Sequence, residues 1–304
     1  MYRNNKSFLI LVSLLVMTLL VAAVGCQPPT EAPPAEAPTE AAAEPTAAPA
    51  EPEPAGQIGV AGSTTVQPIA EKCAEAFKSV RPDVQIDIQG GGSSVGVKSA
   101  GEGTVDVGMA SREIKDSELD EFPDLNIFVI AQDGIAIAVN PGVAVDGLTK
   151  DQVQEIFTGA ITNWSEVGGP DKPIVVVSRE EGSGTRGAFE EMVMAVGSSG
   201  EETPIVDTAI LLPSNGAVRT TVSTTDDSIG YLSFGYLDAS VKALSIDGVE
   251  ATVANALGGA YPIVRPLNMM TQGQPSELVK AWIDFILSAE GQQIVAEEGY
   301  LAVK

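Results

Sequence analysis

The sequence contains no histidine, only two cysteines, and few positively charged residues. The absence of histidine excludes a Ser-His-Asp triad, a Cys-His pair and any zinc site with histidine ligands. Serine hydrolysis with a lysine base stays open. Only 17 Lys and Arg stand against 41 Asp and Glu. So acidic a chain is poorly suited to bind nucleic acid or anionic lipid. A site for an anion would have to rely on local dipoles and arginines.

The two cysteines, Cys26 and Cys73, have different surroundings. The basic start MYRNNK is followed by a run of apolar and small residues that ends in AVGC, which is typical of a secretory signal peptide. The end of this run resembles a bacterial lipobox, whose cysteine, here Cys26, takes lipid. An uncleaved membrane anchor is the alternative, because the run is long enough for a thin span. Cys73 lies on the apolar face of a predicted helix, which indicates core packing, and lipidation of Cys26 would leave it no disulfide partner.

Residues 27–57 consist almost wholly of Pro, Ala, Glu and Thr. Such a segment cannot bury a core, and its prolines favour an extended chain. We therefore predict a signal peptide over 1–26, a disordered tether over 27–57 and a folded part over 58–304. Six acids and two bases precede residue 58, so the folded part keeps a net charge of about −20 out of the total of −24. Its length suffices for one large domain or two moderate lobes.

Strand patterns alternate with helical patterns along the folded part. VQIDI has the two-residue alternation of a strand, and Ile69, Cys73, Phe77 and Val80 have helical spacing. NIFVIAQDGIAIAVNP contains two short apolar runs, and the segment 275–300 predicts one broken helix or two. This alternation indicates an α/β fold with largely parallel sheets. Ligands of such sheets bind at the carboxyl ends of the strands.

Four turns at predicted strand ends are rich in Ser, Thr and Gly, and two of them carry arginine. Their polar and glycine positions are Ser63, Thr64 and Thr65; Ser93 and Ser94; Ser111 and Arg112; and Arg179, Ser183, Gly184, Thr185 and Arg186. Hydroxyl groups and amides at helix starts donate to oxyanions, and arginine offers a planar fork that suits phosphate. Each turn alone fits ordinary helix capping, but the four together predict an anion site. Neither the P-loop motif nor G-x-S-x-G occurs.

Several segments, in order and spacing, resemble the phosphate-binding lipoproteins of ABC phosphate uptake systems, the PstS family. They are VAGSTTVQPIAEKCAEAF, IQGGGSSVGVKSAGEGTVDVGMASRE, FTGAITNW, REEGSGTRGAFEEMV and IGYLSFGYL. The resemblance implies a type II periplasmic-binding-protein fold, in which two α/β lobes are joined by two crossing segments and the ligand lies in the cleft. On this basis we expect lobe one to comprise 58–139 and 233–304, and lobe two 140–232. The hinges would lie near Val139 and Leu232.

The resemblance also implies which residues contact phosphate. The first three family loops fall on Ser63, Thr64 and Thr65, on Ser93, and on Ser111 with Arg112; the fourth falls on Arg179, Ser183, Gly184 and Thr185. In the third loop some members have Ser-Asp, and that aspartate accepts a proton that sulfate lacks. Here Arg112 takes its place, and it could equally be a surface or lobe-bridging residue. Glu180, Glu181 or a serine hydroxyl could supply the acceptor, and Glu181 could instead orient Arg179 as its ion-pair partner.

The predicted function is that of an extracytoplasmic solute-binding protein, anchored by lipid on Cys26, that captures inorganic phosphate for the permease of an ABC transporter. We expect a monomer with no catalytic residues, no cofactor, no metal and no nucleic-acid partner. One alternative is a binding protein for another tetrahedral oxyanion such as sulfate, which the Ser111-Arg112 pair motivates. The other is a lipid-anchored enzyme that acts on phosphate esters.

Overall fold

The computed structural model describes residues 56–196, 201–202 and 204–303. The predicted signal peptide, Cys26 and the predicted tether as far as residue 55 lie outside these residues. The strands are β1 Gly56–Gly62, β2 Val84–Gln89, β3 Val107–Ala110, β4 Leu125–Val139, β5 Gly147–Leu148, β6 Val175–Arg179, β7 Ala195–Val196, β8 Glu201–Glu202, β9 Ile210–Leu212, β10 Ser228–Ser233, β11 Lys242–Ala243, β12 Ser245–Ile246 and β13 Val264–Gln272.

The α-helices are α1 Gln67–Val80, α2 Ser93–Gly101, α3 Asp116–Glu121, α4 Lys150–Thr158, α5 Gly184–Phe189, α6 Asn215–Thr224, α7 Val253–Leu257, α8 Glu277–Ile286 and α9 Ala289–Glu297. A π-helical turn, Glu190–Met194, continues α5. The C-terminal segment forms two helices rather than one. Across the described ranges, none of the helices has both the length and the apolar character needed to cross a membrane.

Helix α1 buries Ile69, Cys73 and Phe77, as their spacing predicts, whereas Val80 in its last turn is exposed. The core position predicted for Cys73 is thereby confirmed, and burial raises the pKa of its thiol to about 12. Strand β1 starts at Gly56, so two residues predicted as tether belong to the sheet, because they pair with β2.

In the part of the chain that is described, the main sheet has nine strands. Its order is β2-β1-β3-β13-β4-β10-β6-β9, with β11 beside β4. Strand β1 is parallel to β2 and β3, and β6 is parallel to β10 and β9. Strand β13 is antiparallel to β3 and β4, and β4 is antiparallel to β10. The predicted α/β class is confirmed, but the expectation of largely parallel sheets is wrong, because an antiparallel centre joins two parallel groups.

Strand β4 is one 15-residue strand, although its sequence contains two apolar runs. Its residues 125–134 pair with β13, and residues 135–139 pair with β10. The strand therefore connects the two parallel groups. Gly134 lies at the junction, where a Cβ would come within 2.4 Å of the ring of Phe234. Glycine is thus required by the close packing at this point.

The buried apolar residues form two large cores. The first contains Trp282 and lies against α1, β1, β3 and the two C-terminal helices. The second contains Trp164 and Phe189, and it also takes in Ile135 and Ile263. The lobe limits predicted from the resemblance stay a prediction, but Ile135 and Ile263, which they assign to lobe one, pack in the second core. Trp164 is completely buried.

Candidate functional site

The turn between β1 and α1 is fixed by contacts from several elements. The Ser63 hydroxyl accepts a hydrogen bond from the Thr65 amide at 3.1 Å, so its side chain caps the turn that leads into α1. The carbonyl of Thr64 accepts from the hydroxyl of Tyr236 at 2.7 Å, and the carbonyl of Thr65 accepts from Tyr300 at 2.9 Å. These bonds hold the Thr65 side chain in a defined position.

Four buried hydroxyl residues, Thr65, Ser93, Ser111 and Thr185, come from four different turns. We call them the hydroxyl cluster. The Thr65 and Thr185 hydroxyls are 3.2 Å apart, and those of Ser93 and Ser111 are 3.5 Å apart. The Ser111 amide also donates to the Ser93 hydroxyl at 3.0 Å. Each predicted loop thus contributes a side chain to one of these two close pairs.

The start of α5 packs directly against the start of α2. A Cβ added to Gly184 would lie 2.0 Å from the Ser93 hydroxyl and 2.7 Å from that of Ser111. The Ser94 amide donates to the carbonyl of Gly182 at 3.1 Å. Ser183 caps α5, because its hydroxyl accepts a hydrogen bond at 3.2 Å from the amide of Arg186, the third residue of the helix. Glycine at 184 is therefore what permits this close approach.

Arg179 ends β6, and its guanidinium group is 1% exposed. Its Nε donates to the carbonyl of Leu212 at 3.1 Å, and its Nη2 lies 3.5 Å from the Thr64 hydroxyl. Its remaining terminal nitrogen, Nη1, is buried and has no hydrogen-bond partner among the described residues. A buried guanidinium nitrogen without a partner is costly, and this one belongs to a residue that contacts the first loop.

The ion-pair partner of Arg179 is Glu180, not Glu181. The Glu180 carboxylate accepts from Nε at 3.0 Å and from Nη2 at 2.9 Å, which is a bidentate pairing. Glu181 is exposed. The expectation that Glu181 orients Arg179 is therefore wrong. The Glu180 carboxylate is thus partly exposed and engaged by two donors of the buried arginine.

Arg112 is buried, but its guanidinium group is committed to α3. Its two terminal nitrogens donate to the two carboxylate oxygens of Glu118 at 2.8 and 2.7 Å, and Nη2 also lies 3.2 Å from the Ser94 hydroxyl. Partial burial acts to raise the pKa of Glu118, but hydrogen bonds from Arg112 and from a backbone amide outweigh it and lower that pKa. Of the predicted contact residues, Arg112 alone has its charge neutralised in this way by a residue outside the four turns.

Two polar residues that were not predicted as ligand contacts, Asn215 and Arg265, adjoin the hydroxyl cluster. Asn215, the first residue of α6, donates to the Thr65 hydroxyl at 2.8 Å. Arg265 donates to the same hydroxyl at 3.2 Å and pairs with Asp133 at 2.8 Å. The sequence signal for Arg265 and Asp133 was that each is the one charged residue of its strand, β13 and β4 respectively.

Comparison with known proteins identifies the relatives of this chain. Residues 47–290 match the model of the PBP superfamily domain. The phosphate-binding protein PstS of Bacillus subtilis is 35% identical over 255 residues, which is 83% of each chain. PstS of Pseudomonas aeruginosa is 32% identical over 273 residues, covering 81% of this chain and 83% of the relative.

Solved structures give the same result. A Clostridium perfringens protein described as a phosphate ABC transporter substrate-binding protein with bound phosphate is 44% identical, with a TM-score of 0.77. The match covers 82% of this chain and all of that one. An ABC-type phosphate transport receptor from Vibrio cholerae is 33% identical, with a TM-score of 0.67 over 80% of this chain and 99% of that one.

Proposed function

The chain belongs to the PBP superfamily and, within it, to the PstS phosphate-binding proteins, and on that premise we propose that it captures inorganic phosphate outside the cytoplasmic membrane for an ABC uptake transporter. The permease subunits of that transporter are its partners in this proposal. In this proposal the protein holds the ligand by hydrogen bonds, breaks none of its bonds and is not an enzyme. The predicted family membership is confirmed by the comparisons.

The proposal is carried by the buried Nη1 of Arg179, which has no hydrogen-bond partner among the described residues. An unpaired buried donor costs about 1–3 kcal/mol, and more when it is charged. An anion with an oxygen at this nitrogen removes that cost. The hydroxyl cluster offers further donors nearby, and a tetrahedral oxyanion presents acceptor oxygens in four directions. Donors from four turns suit such a ligand better than a planar carboxylate.

We assign the ligand contacts to the predicted residues other than Arg112 and Ser63, which are Thr64, Thr65, Ser93, Ser111, Arg179, Ser183, Gly184 and Thr185. Ser63 caps the turn into α1 instead. For Arg112 we propose the lobe-bridging role. Its guanidinium group pairs with α3, and its Cδ would be 3.1 Å from a Cβ at Gly187 in α5.

The two cores support a division into two lobes with two crossings. The chain passes from the first core to the second between Ala131 and Ile135, and returns between Ile263 and Leu267. We propose these two places as the hinges, instead of the limits near Val139 and Leu232. Closure of the lobes around phosphate would exclude water and strengthen its hydrogen bonds.

The proposal includes export and anchoring of the chain. The signal-like N-terminus and the lipobox-like AVGC support attachment to the membrane through lipid on Cys26. The Pro-rich segment that follows would hold the binding domain away from the membrane surface. Mass spectrometry of the chain isolated from cells tests this part, since lipidation removes residues 1–25 and adds acyl mass to Cys26. An unmodified Cys26 would contradict it.

Isothermal titration of the purified full chain, freed of bound ligand, tests the main proposal. Phosphate is expected to bind tightly and with one-to-one stoichiometry between pH 5 and 8, and sulfate is titrated in parallel. Binding of sulfate with similar affinity would favour the general oxyanion alternative, and binding of neither anion would refute the transport function. Hydrolysis of a chromogenic phosphate ester in the presence of divalent ions would favour the enzyme alternative.

A further inference from the structure

A second buried arginine, Arg265, lies beside the hydroxyl cluster. It is located on β13 and is 2% exposed. Its Nε and Nη2 donate to one carboxylate oxygen of Asp133 at 3.1 and 2.8 Å, and Nη2 also donates to the Thr65 hydroxyl at 3.2 Å. Its Nη1 is buried and lacks a hydrogen-bond partner within the described residues. The two guanidinium nitrogens that face Asp133 are both hydrogen-bonded, whereas Nη1 is not.

The Asp133 carboxylate is held rigidly by four donors. Asp133 on β4 and Arg265 on β13 face each other across the two paired strands. Besides the two nitrogens of Arg265, the Ser233 hydroxyl donates to Asp133 at 2.9 Å and the Phe234 amide donates at 3.2 Å. Neither oxygen is left to accept a proton from a ligand. Asp133 therefore serves to fix Arg265 and to offset its charge.

Arg265 and Arg179 reach adjacent residues of the first loop, since Arg265 contacts Thr65 and Arg179 contacts Thr64. Burial lowers the pKa of Arg265; Asp133 opposes this effect, and the nearby charge of Arg179 reinforces it. Arginine nevertheless stays protonated in proteins. Two buried arginines, each paired with one carboxylate, thus lie near each other, and each has one nitrogen that finds no partner among the described residues.

We propose that Arg265 is a second anion-binding residue of the phosphate site and that Asp133 is its positioning residue. Arg179 ends β6 in the strand group of the second core, whereas Arg265 lies on β13 between Ile263 of the second core and Leu267 of the first, within one of the two proposed hinges. A tetrahedral oxyanion bound between them receives a charged hydrogen bond from each arginine. The inference rests on the proposed function and adds to it a second charged hydrogen-bond donor for the bound oxyanion.

The test is titration of inorganic phosphate into the full chain carrying R265K. Lysine keeps the positive charge and can still pair with Asp133, but it lacks the second terminal nitrogen. Loss of a hydrogen bond to a charged ligand is expected to weaken phosphate binding about 10- to 100-fold. The matched control is R219K. Arg219 pairs with Asp238 at the surface at 2.9 Å, and its replacement should change the affinity less than about twofold.

A double-mutant cycle tests the role of Asp133. The variants are D133N, R265Q and their combination, which removes both charges and leaves neither one buried without a partner. If Asp133 acts through Arg265, D133N weakens phosphate binding in the unaltered chain but changes it less than about twofold in the R265Q background. A purely structural role of Asp133 would instead give equal effects in both backgrounds.

The outcomes separate this inference from the function on which it rests. No phosphate binding by the unaltered chain overturns both. Phosphate binding that is unchanged by R265K and by the combined D133N and R265Q substitution overturns the inference alone. Circular dichroism and thermal unfolding confirm that each variant is folded, and the double variant serves as the decisive protein if R265K does not fold.

Discussion

Because the start of α5 packs tightly against the start of α2, we predict that one methyl group added at Gly184 strongly weakens phosphate binding. In G184A the new Cβ would lie 2.0 Å from the Ser93 hydroxyl and 2.7 Å from that of Ser111. An ordinary contact requires about 3.5 Å, so the two turns must move apart by about 1.5 Å. The backbone itself tolerates alanine, because Gly184 is the first residue of α5 and does not have a positive φ.

The movement should weaken phosphate binding rather than folding. If two hydrogen bonds from Ser93 and Ser111 to a charged ligand are lost, at about 1.5 kcal/mol each, the affinity falls about 100-fold. Isothermal titration of the full chain with phosphate measures this loss. Thermal unfolding without phosphate should change little, since alanine is favoured over glycine in a helix by up to about 1 kcal/mol.

The matched control is G216A in the first turn of α6. There a Cβ would meet Tyr236 at 3.7 Å and Ser214 at 3.9 Å, which are ordinary contacts. This variant should bind phosphate within about twofold of the unaltered chain and unfold at a slightly higher temperature. Phosphate binding by G184A as tight as that of G216A would refute the reasoning, because it would mean that the two turns need not approach each other to bind the ligand.

Three further predictions follow from buried polar groups. Pairing with Arg112 lowers the pKa of Glu118 below its ordinary 4.5. The pair therefore stabilises the fold above pH 4.5, and this stabilisation is lost as the pH falls through the lower folded-state pKa. In urea unfolding, the stability difference between the unaltered chain and E118Q should shrink on acidification, and a constant difference would contradict this prediction. Cys73, with a pKa of about 12, should react with a thiol reagent at pH 8 only after unfolding. Rapid labelling of Cys73 itself in the native chain, located by peptide mapping, would contradict its burial. Y231F removes the 2.8 Å bond between the hydroxyls of Tyr231 and Ser178 and should cost about 1–2 kcal/mol in urea unfolding, and an unchanged midpoint would show that the bond contributes nothing.

Patterns of neighbouring residues were enough to predict the α/β class and the turns that carry the site. The alternation of strands and helices depends on local periodicity, and hydroxyl residues at helix starts depend on local capping. The family likeness added the expectation of two lobes and of particular contact residues. The single strand β4 was not predicted, because its two halves pair with different strands and so look like two runs.

Local residue patterns are sufficient to predict that four Ser- and Gly-rich turns, two with arginine, are available to an anion. They do not predict which arginine nitrogens are left without a protein partner. Both terminal nitrogens of Arg112 donate to Glu118 on a neighbouring helix. Arg179 pairs with Glu180, not Glu181, through Nε and Nη2, which leaves its Nη1 without a partner among the described residues. Arg265 reaches the Thr65 hydroxyl from a strand 200 residues later in the chain. Ion pairs depend on distances between distant segments, and local sequence patterns do not contain those distances.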